Sequence, residues 1–223
     1  MLLDLARLEA TPLRRDPFDF VVVEDFVAAE RKADLAAAFP PLRGHGSYPL
    51  AAVSCGPLFS RLAEELAGDA LRRAIENKFE IDLGGRPTLI TLRGYGDERD
   101  GRIHTDSASK LITLLLYLNP VWETPAGRLR LLRGPDDLDD YAVEVPPLAG
   151  MMVAFRRSAT SYHGHYPHVG PRRSVQLNWV TDARVVRREL GRHRWSALVK
   201  SLNPFRGGAA PAENRVGKFG SGG

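Results

Sequence analysis

Apolar positions recur with two different periods along this chain, and the period changes near residue 87. Before that point the spacing is helical. "FVVV" (20–23) is a short apolar, β-branched strand, and "AAERKADLAAAF" (28–39) is rich in helix formers, with Asp25 placed to cap it. Leu62, Leu66, Leu71 and Ile75 mark one face of a helix over 57–83, with Gly68 a potential break. "PPLRGHGSYP" reads as loop. Beyond residue 87 short apolar or alternating runs take over, at 88–93, 110–119, 127–132, 141–145, 150–156 and 173–180, separated by Gly, Pro and Asp turns. A helical flank followed by six or more strands without βαβ alternation predicts a mainly β fold with flanking helices, an antiparallel sandwich or barrel.

That pattern gives a meaning to "GRIHTDSASK" (101–110), which precedes the long run "KLITLLLYLN". In a strand, residues two apart share a face, so His104 and Asp106 would project together and Thr105 away. One imidazole and one carboxylate are two adjacent ligands of a metal and call for a third from elsewhere in the fold. His163, His165 and His168, in "SYHGHYPHVGPRRSVQLNWV", are the candidates. Two histidines and a carboxylate on one face of an iron, with the opposite positions open, suit O₂ chemistry. The last strand adds an anion site. Its polar face carries Arg172, Ser174, Gln176 and Asn178, and its apolar face Val175, Leu177 and Trp179 with Arg173. An arginine at the mouth of a cavity lined by the polar face is suited to clamp a carboxylate through paired N–H donors.

Composition changes this picture little, while charge adds a second region. The 223 residues, 43% hydrophobic and 26% charged, fit one soluble globular domain; no run approaches the roughly 18 apolar residues of a membrane span. One cysteine, Cys55, and the absence of a signal-like start lead to the expectation of a cytoplasmic protein. From Arg184 onward nine Lys/Arg face two Glu, a surplus of seven under an overall charge of +4, so the preceding residues carry −3. Within this tail Trp195, Leu198, Val199 and Leu202 space as one helix face. The domain is therefore expected to span 1–206, as a helical flank (1–87), a strand-rich core (88–182) and a basic helical extension (183–206) whose apolar stripe either docks on the outside of the barrel with its arginines solvated or presents a basic surface to an anionic partner. Residues 207–223, Gly-rich and nearly without apolar side chains, are expected to be disordered. Nucleic acid is disfavoured as a partner, since no recognition motif accompanies the basic charge.

The order of these features resembles the Fe(II)- and 2-oxoglutarate-dependent dioxygenases, in particular the prolyl 4-hydroxylase-like branch. The resemblance covers residues 88–181. It rests on H-x-D (His104, Asp106), "YLN" at 117–119 followed by Trp122, the strand "GRLRLL", "GMMVAF", H-x-x-x-P (His163, Pro167) and R-x-S (Arg172, Ser174). His165 has its proline only two residues on, and His168 has no matching Pro or Arg. The resemblance implies a double-stranded β-helix (jelly-roll) core and His104, Asp106 and His163 as iron ligands and catalytic centre. Arg172 would bind the 5-carboxylate of 2-oxoglutarate, assisted by Ser174. Tyr95 would hydrogen-bond the co-substrate, unless it is a packed loop aromatic; Tyr117 would line the co-substrate pocket or pack in the core. The cofactors implied are Fe(II), 2-oxoglutarate and O₂, and the reaction is hydroxylation of an unactivated C–H bond with release of succinate and CO₂. Asp106 argues against a halogenating relative, in which a small residue replaces that carboxylate. Lys110 either reaches an acidic substrate group or sits in solvent, and Gln176 and Asn178 stand behind the ligands or satisfy backbone groups. Substrates, small-molecule or peptidyl, are not set by these residues. Two other readings stay open: a cupin-like metal enzyme that does not use 2-oxoglutarate, and a non-catalytic jelly-roll binding protein.

Overall fold

The computed structural model describes residues 1–42, 44–188 and 191. In chain order these form α1 (Leu5–Ala10), β1 (Phe20–Val23), α2 (Lys32–Ala37), β2 (Tyr48–Pro49), α3 (Pro57–Ala67) and α4 (Asp69–Phe79). Then follow β3 (Thr88–Gly96), β4 (Lys110–Tyr117), β5 (Leu129–Leu132), β6 (Tyr141–Val145), β7 (Met152–Arg156), β8 (His163–Gly164) and β9 (Gly170–Val180). The strands make two antiparallel sheets, β1-β7-β4-β9-β3-β2 and β6-β5-β8. This is the jelly-roll expected from the resemblance, with the helices on one side.

Strand alternation divides the core in two. On β4, Ile112, Leu114 and Leu116 point outward into a cluster with Leu62, Leu66, Leu71, Ile75 and Phe79 of α3 and α4. Val175, Leu177 and Trp179 of β9 join that cluster, as do Met152 and Ala154 of β7. The alternate residues Tyr117, Val153 and Phe155 point inward, between the sheets, where they meet Phe20, Leu129, Leu131 and Val145. Truncating any of these large buried side chains to alanine costs about 2–5 kcal/mol, so the two clusters together pin the large sheet from both faces.

The helical flank follows its caps. Pro57 opens α3 at its first turn, and at Gly68 the backbone turns extended before α4 begins with Asp69, a favourable charge at a helix N-terminus. The potential break at Gly68 is realised, and the stretch forms two helices. Asp25 does not cap α2: its backbone is left-handed (φ 54°), its carboxylate pairs with Lys32 and Arg7, and α2 starts without a side-chain cap. α1 and the two-residue strands β2 and β8 carry too little periodicity to be read from sequence. β2 lies inside the stretch expected to be loop, where Tyr48 and Pro49 pair with Leu92 and Thr91 at the sheet edge, a place proline tolerates. No helix among the described residues is long and apolar enough to cross a membrane. Residues 183–188 are helical; the remainder of the basic extension, with Trp195, Leu198, Val199 and Leu202, and the tail 207–223 lie outside the described residues.

Candidate functional site

The inner faces of β3, β4 and β9 and the HGH segment converge on a cavity of about 330 Å³. His104, Asp106 and His163 offer ligand atoms there that all lie within 4.8 Å of one another. The pairing behind this is specific. His104 and His163 form an isolated antiparallel bridge, exchanging backbone hydrogen bonds of 3.1 and 3.0 Å, and their rings sit 4.3 Å apart. β8 in turn pairs with β5, Leu131 opposite His163, so the second sheet carries both histidines. The H-x-D stretch is not the regular strand that its spacing suggested: His104 forms only that bridge and 105–107 are loop. The turn, not strand alternation, swings Asp106 back beside the histidines.

Both imidazoles are oriented by backbone carbonyls. His104 Nδ1 lies 2.8 Å from the Arg102 carbonyl and His163 Nδ1 3.0 Å from that of Ser161. A carbonyl oxygen can only accept, so each Nδ1 carries a proton, and in the neutral ring that leaves the Nε2 lone pair for a metal. Burial holds His163 neutral, lowering its pKa to about 4 against the opposing pull of Asp106. Asp106 is buried, which raises its pKa, but the charge of Lys110 and hydrogen bonds from Lys110 and Thr113 outweigh burial and hold it ionised, below the usual carboxylate range. Lys110 Nζ donates to Asp106 Oδ1 at 2.7 Å, and Thr113 Oγ donates to Oδ2 at 2.5 Å. Thr113 is also 3.0 Å from the Asn178 side-chain amide, and Gln176 follows at 3.2 Å. The polar residues of β4 and β9 therefore brace the carboxylate from behind. Lys110 is neither a solvent-side lysine nor free for a substrate acid.

The cavity wall also carries a buried arginine. Arg172 is buried at 6% exposure, its Nε donating to the Gly127 carbonyl at 2.9 Å, and it forms no ion pair with an acid among the described residues. Its guanidinium stands 5.4 Å from the ring centre of Tyr117. The Tyr117 hydroxyl is fully buried and makes no well-formed hydrogen bond among the described residues; burial raises its pKa against the opposing charge and close N–H groups of Arg172. Ser174 lines the same wall and Arg173 leaves it, its Nη1 donating to the Ala36 carbonyl and its guanidinium lying near Phe39.

Of the other candidates, His165 lines the cavity, with its Nδ1 tied to the Tyr166 carbonyl, but stands outside the three-residue cluster. His168 stacks on Trp122, ring centres 4.4 Å apart. Tyr95 is not brought to the site: it lines a separate groove with Phe39, Pro40 and Arg173. Thr91 and Arg93 face the cavity. Past Arg93 the register of β3 on β9 shifts by one, the extra residue lying on β9 between Pro171 and Ser174, and Tyr95, opposite Pro171, faces the groove instead. Sequence reading missed the cavity-lining Arg93, Arg99 and Arg102; Arg99 and Arg102 lie in loop, which carries no periodic signal. It also left unassigned the role of Asn119 in "YLN". That side chain ties the end of β4 down through Pro147 and Arg173, its Nδ2 donating to the two carbonyls at 2.6 and 3.1 Å and its Oδ1 accepting from Arg173 N–H at 2.7 Å.

Residues 90–181 match the family model of the 2OG-Fe(II) oxygenase superfamily. Among solved structures, a Pseudomonas putida prolyl-4-hydroxylase aligns at TM-score 0.55 and 20% identity, covering 79% of this chain and 97% of its own. HygX from Streptomyces hygroscopicus with iron bound aligns at 0.51 and 14%, covering 74% and 82%. A viral collagen prolyl hydroxylase from Paramecium bursaria Chlorella virus-1, in complex with 2OG, aligns at 0.50 and 13%, covering 73% and 96%. These structures share the fold. No curated protein matches the chain significantly.

Proposed function

We propose that this chain, a 2OG-Fe(II) oxygenase that works with Fe(II), 2-oxoglutarate and O₂, holds its iron on His104, Asp106 and His163 and the far carboxylate of 2-oxoglutarate on Arg172, Tyr117 and Ser174. The carrying observation is one cavity that contains two histidines in the Nδ1–H tautomer beside an ionised aspartate and, deeper, a buried arginine without an acid. The residues fit both groups. Two neutral imidazoles and one carboxylate are the donor set of a facial iron site. Arg172 spends its Nε on the Gly127 carbonyl and meets no acid among the described residues, and the Tyr117 hydroxyl meets no acceptor; a carboxylate would serve the remaining guanidinium N–H groups and the hydroxyl together.

When bound, iron and 2-oxoglutarate supply the oxidising power, the co-substrate leaving as succinate and CO₂ while an oxygen atom enters a C–H bond. The protein's own part is placement. The Arg102 and Ser161 carbonyls fix the two imidazoles; Lys110 and Thr113 fix Asp106; Arg172 and Tyr117 set the depth of the co-substrate. The test is anaerobic titration of the Fe(II)-loaded chain with 2-oxoglutarate, following the weak visible charge-transfer band of bidentate chelation. The band is expected in the wild type, to vanish with iron in Asp106→Ala, and to need far more 2-oxoglutarate in Arg172→Ala. Iron binding without any band in the wild type would refute the assignment of the co-substrate and favour a cupin-like use of the metal.

A further inference from the structure

The cavity is cationic in a body that is not. Residues before Arg184 carry a net −3, yet Arg93, Arg99, Arg102, Lys110 and Arg172 line this one cavity against only Asp100 and Asp106. Its aliphatic lining is confined to Leu115 and Leu129, which leaves little apolar surface to recognise a hydrophobic substrate. The cations also divide by depth and by partner. Arg172 lies beside Tyr117 at the deep wall, Lys110 is spent on Asp106, and Arg93 is paired with Asp100 at 2.8 Å. Arg99 and Arg102 stand exposed on the loop that leads into His104. Arg99 shares an exposed, weak pair with Asp97 at 3.1 Å. Arg102 has no acidic partner among the described residues, and its position is fixed by the bond from His104 Nδ1 to its own carbonyl. Since the two negative charges of 2-oxoglutarate are matched by the metal's two positive ones, loading the site leaves this surplus in place.

We propose that the substrate is an anion whose carboxylate or phosphate is held by Arg102 and Arg99, on the loop that leads into His104, so that the rest of the molecule would extend into the cavity towards His104. The proposal rests on the reading of this cavity as the iron and 2-oxoglutarate site. A guanidinium suits either oxyanion through paired N–H donors, and its place two residues before a ligand puts that anion within one small molecule's length of the reacting position.

The test loads the full chain with Mn(II), which is paramagnetic and does not turn over, adds saturating 2-oxoglutarate, and reads the broadening of proton signals from small probes. The probes are acetylated amino acids against their primary amides, and phosphoserine against serine; the two pairs separate carboxylate from phosphate. At least one anion is expected to broaden about tenfold more than its neutral counterpart, the size of one charge-assisted contact. Arg102→Glu should abolish that difference and Arg102→Lys retain most of it. The proposal is overturned if acids and neutral forms broaden alike, if no probe broadens while 2-oxoglutarate does, or if the anion broadens only by displacing 2-oxoglutarate. Should 2-oxoglutarate itself stay sharp in the wild type, the cofactor reading fails first and takes this proposal with it.

Discussion

Tyr117→Phe removes one oxygen atom, and the structure assigns opposite signs to its two consequences. The ring is fully buried between Leu129, Val153 and Phe155 and beneath Arg172, and phenylalanine keeps all of that packing. The hydroxyl, by contrast, has been taken out of water without gaining a well-formed hydrogen bond among the described residues, a desolvation of about 1–3 kcal/mol. Deleting it should leave the metal-free protein no less stable, and more stable by up to that amount. On the proposed co-substrate placement the same hydroxyl would donate to a carboxylate, a hydrogen bond to a charged group contributing about 1.5–3 kcal/mol. Co-substrate affinity should then fall about 10- to 150-fold. Urea unfolding of the metal-free variant gives the first quantity, and anaerobic titration of the charge-transfer band gives the second. A variant destabilised by more than about 1 kcal/mol whose affinity for 2-oxoglutarate is unchanged would refute the reasoning, because the hydroxyl would then serve only the fold.

Three further outcomes follow from the same geometry. Lys110→Met removes the counter-charge of a buried Asp106. It should destabilise the metal-free chain by about 1–3 kcal/mol, less than a fully buried pair because Lys110 is partly solvated. A divalent ion should erase the difference by replacing the charge, as thermal melts with and without metal will show. Thr113→Val breaks the brace between Asp106 and Asn178 and should weaken metal affinity by about 10-fold or more while the fold persists, measured by competition with a chelator. His163 and His165 are both held neutral by burial, each with its pKa lowered to about 4. The unfolded chain therefore takes up these protons first: stability is complete above about pH 6.5 and is lost as pH falls towards about 4, by roughly 3 kcal/mol per histidine. Denaturant midpoints of the metal-free protein across that window check this, and a flat profile would contradict the assignment of buried neutral imidazoles.

How much of this could be read from residue order depends on whether a local rule survives the fold. The alternation of β4 and β9 survived. It placed Arg172, Ser174 and Gln176 on the cavity wall and sent Arg173 to the helical side, and it put Thr113 and Tyr117 on one face. The break at Gly68 and the strand boundaries from β4 to β7 were visible for the same reason, a pattern with a period and a glycine or proline at its end. The contacts of Lys110 were not visible. Lysine at a strand edge is ordinarily solvated, and only the loop that returns Asp106 to it, four residues back in sequence, makes the ion pair.

The failures arise where the same rule of two is interrupted. Tyr95 is two residues beyond Arg93 and should share its face, but the ladder is irregular there, with β9 carrying one extra residue opposite Gly94, and the tyrosine lies by Phe39 and Pro40 instead. His104 and Asp106 are also two apart and do meet, yet not by alternation, because the chain between them is loop. In one case a correct spacing gave a wrong neighbour, and in the other the right neighbour came through a different local structure. What separates the two outcomes is the partner strand. His104 is fixed by its bridge to His163, a contact 59 residues distant in sequence, whereas the shift that displaces Tyr95 is fixed by the register of β3 on β9. Register between strands belongs to tertiary packing, and the side chains that depend on it are those for which the sequence states a periodicity but not a direction.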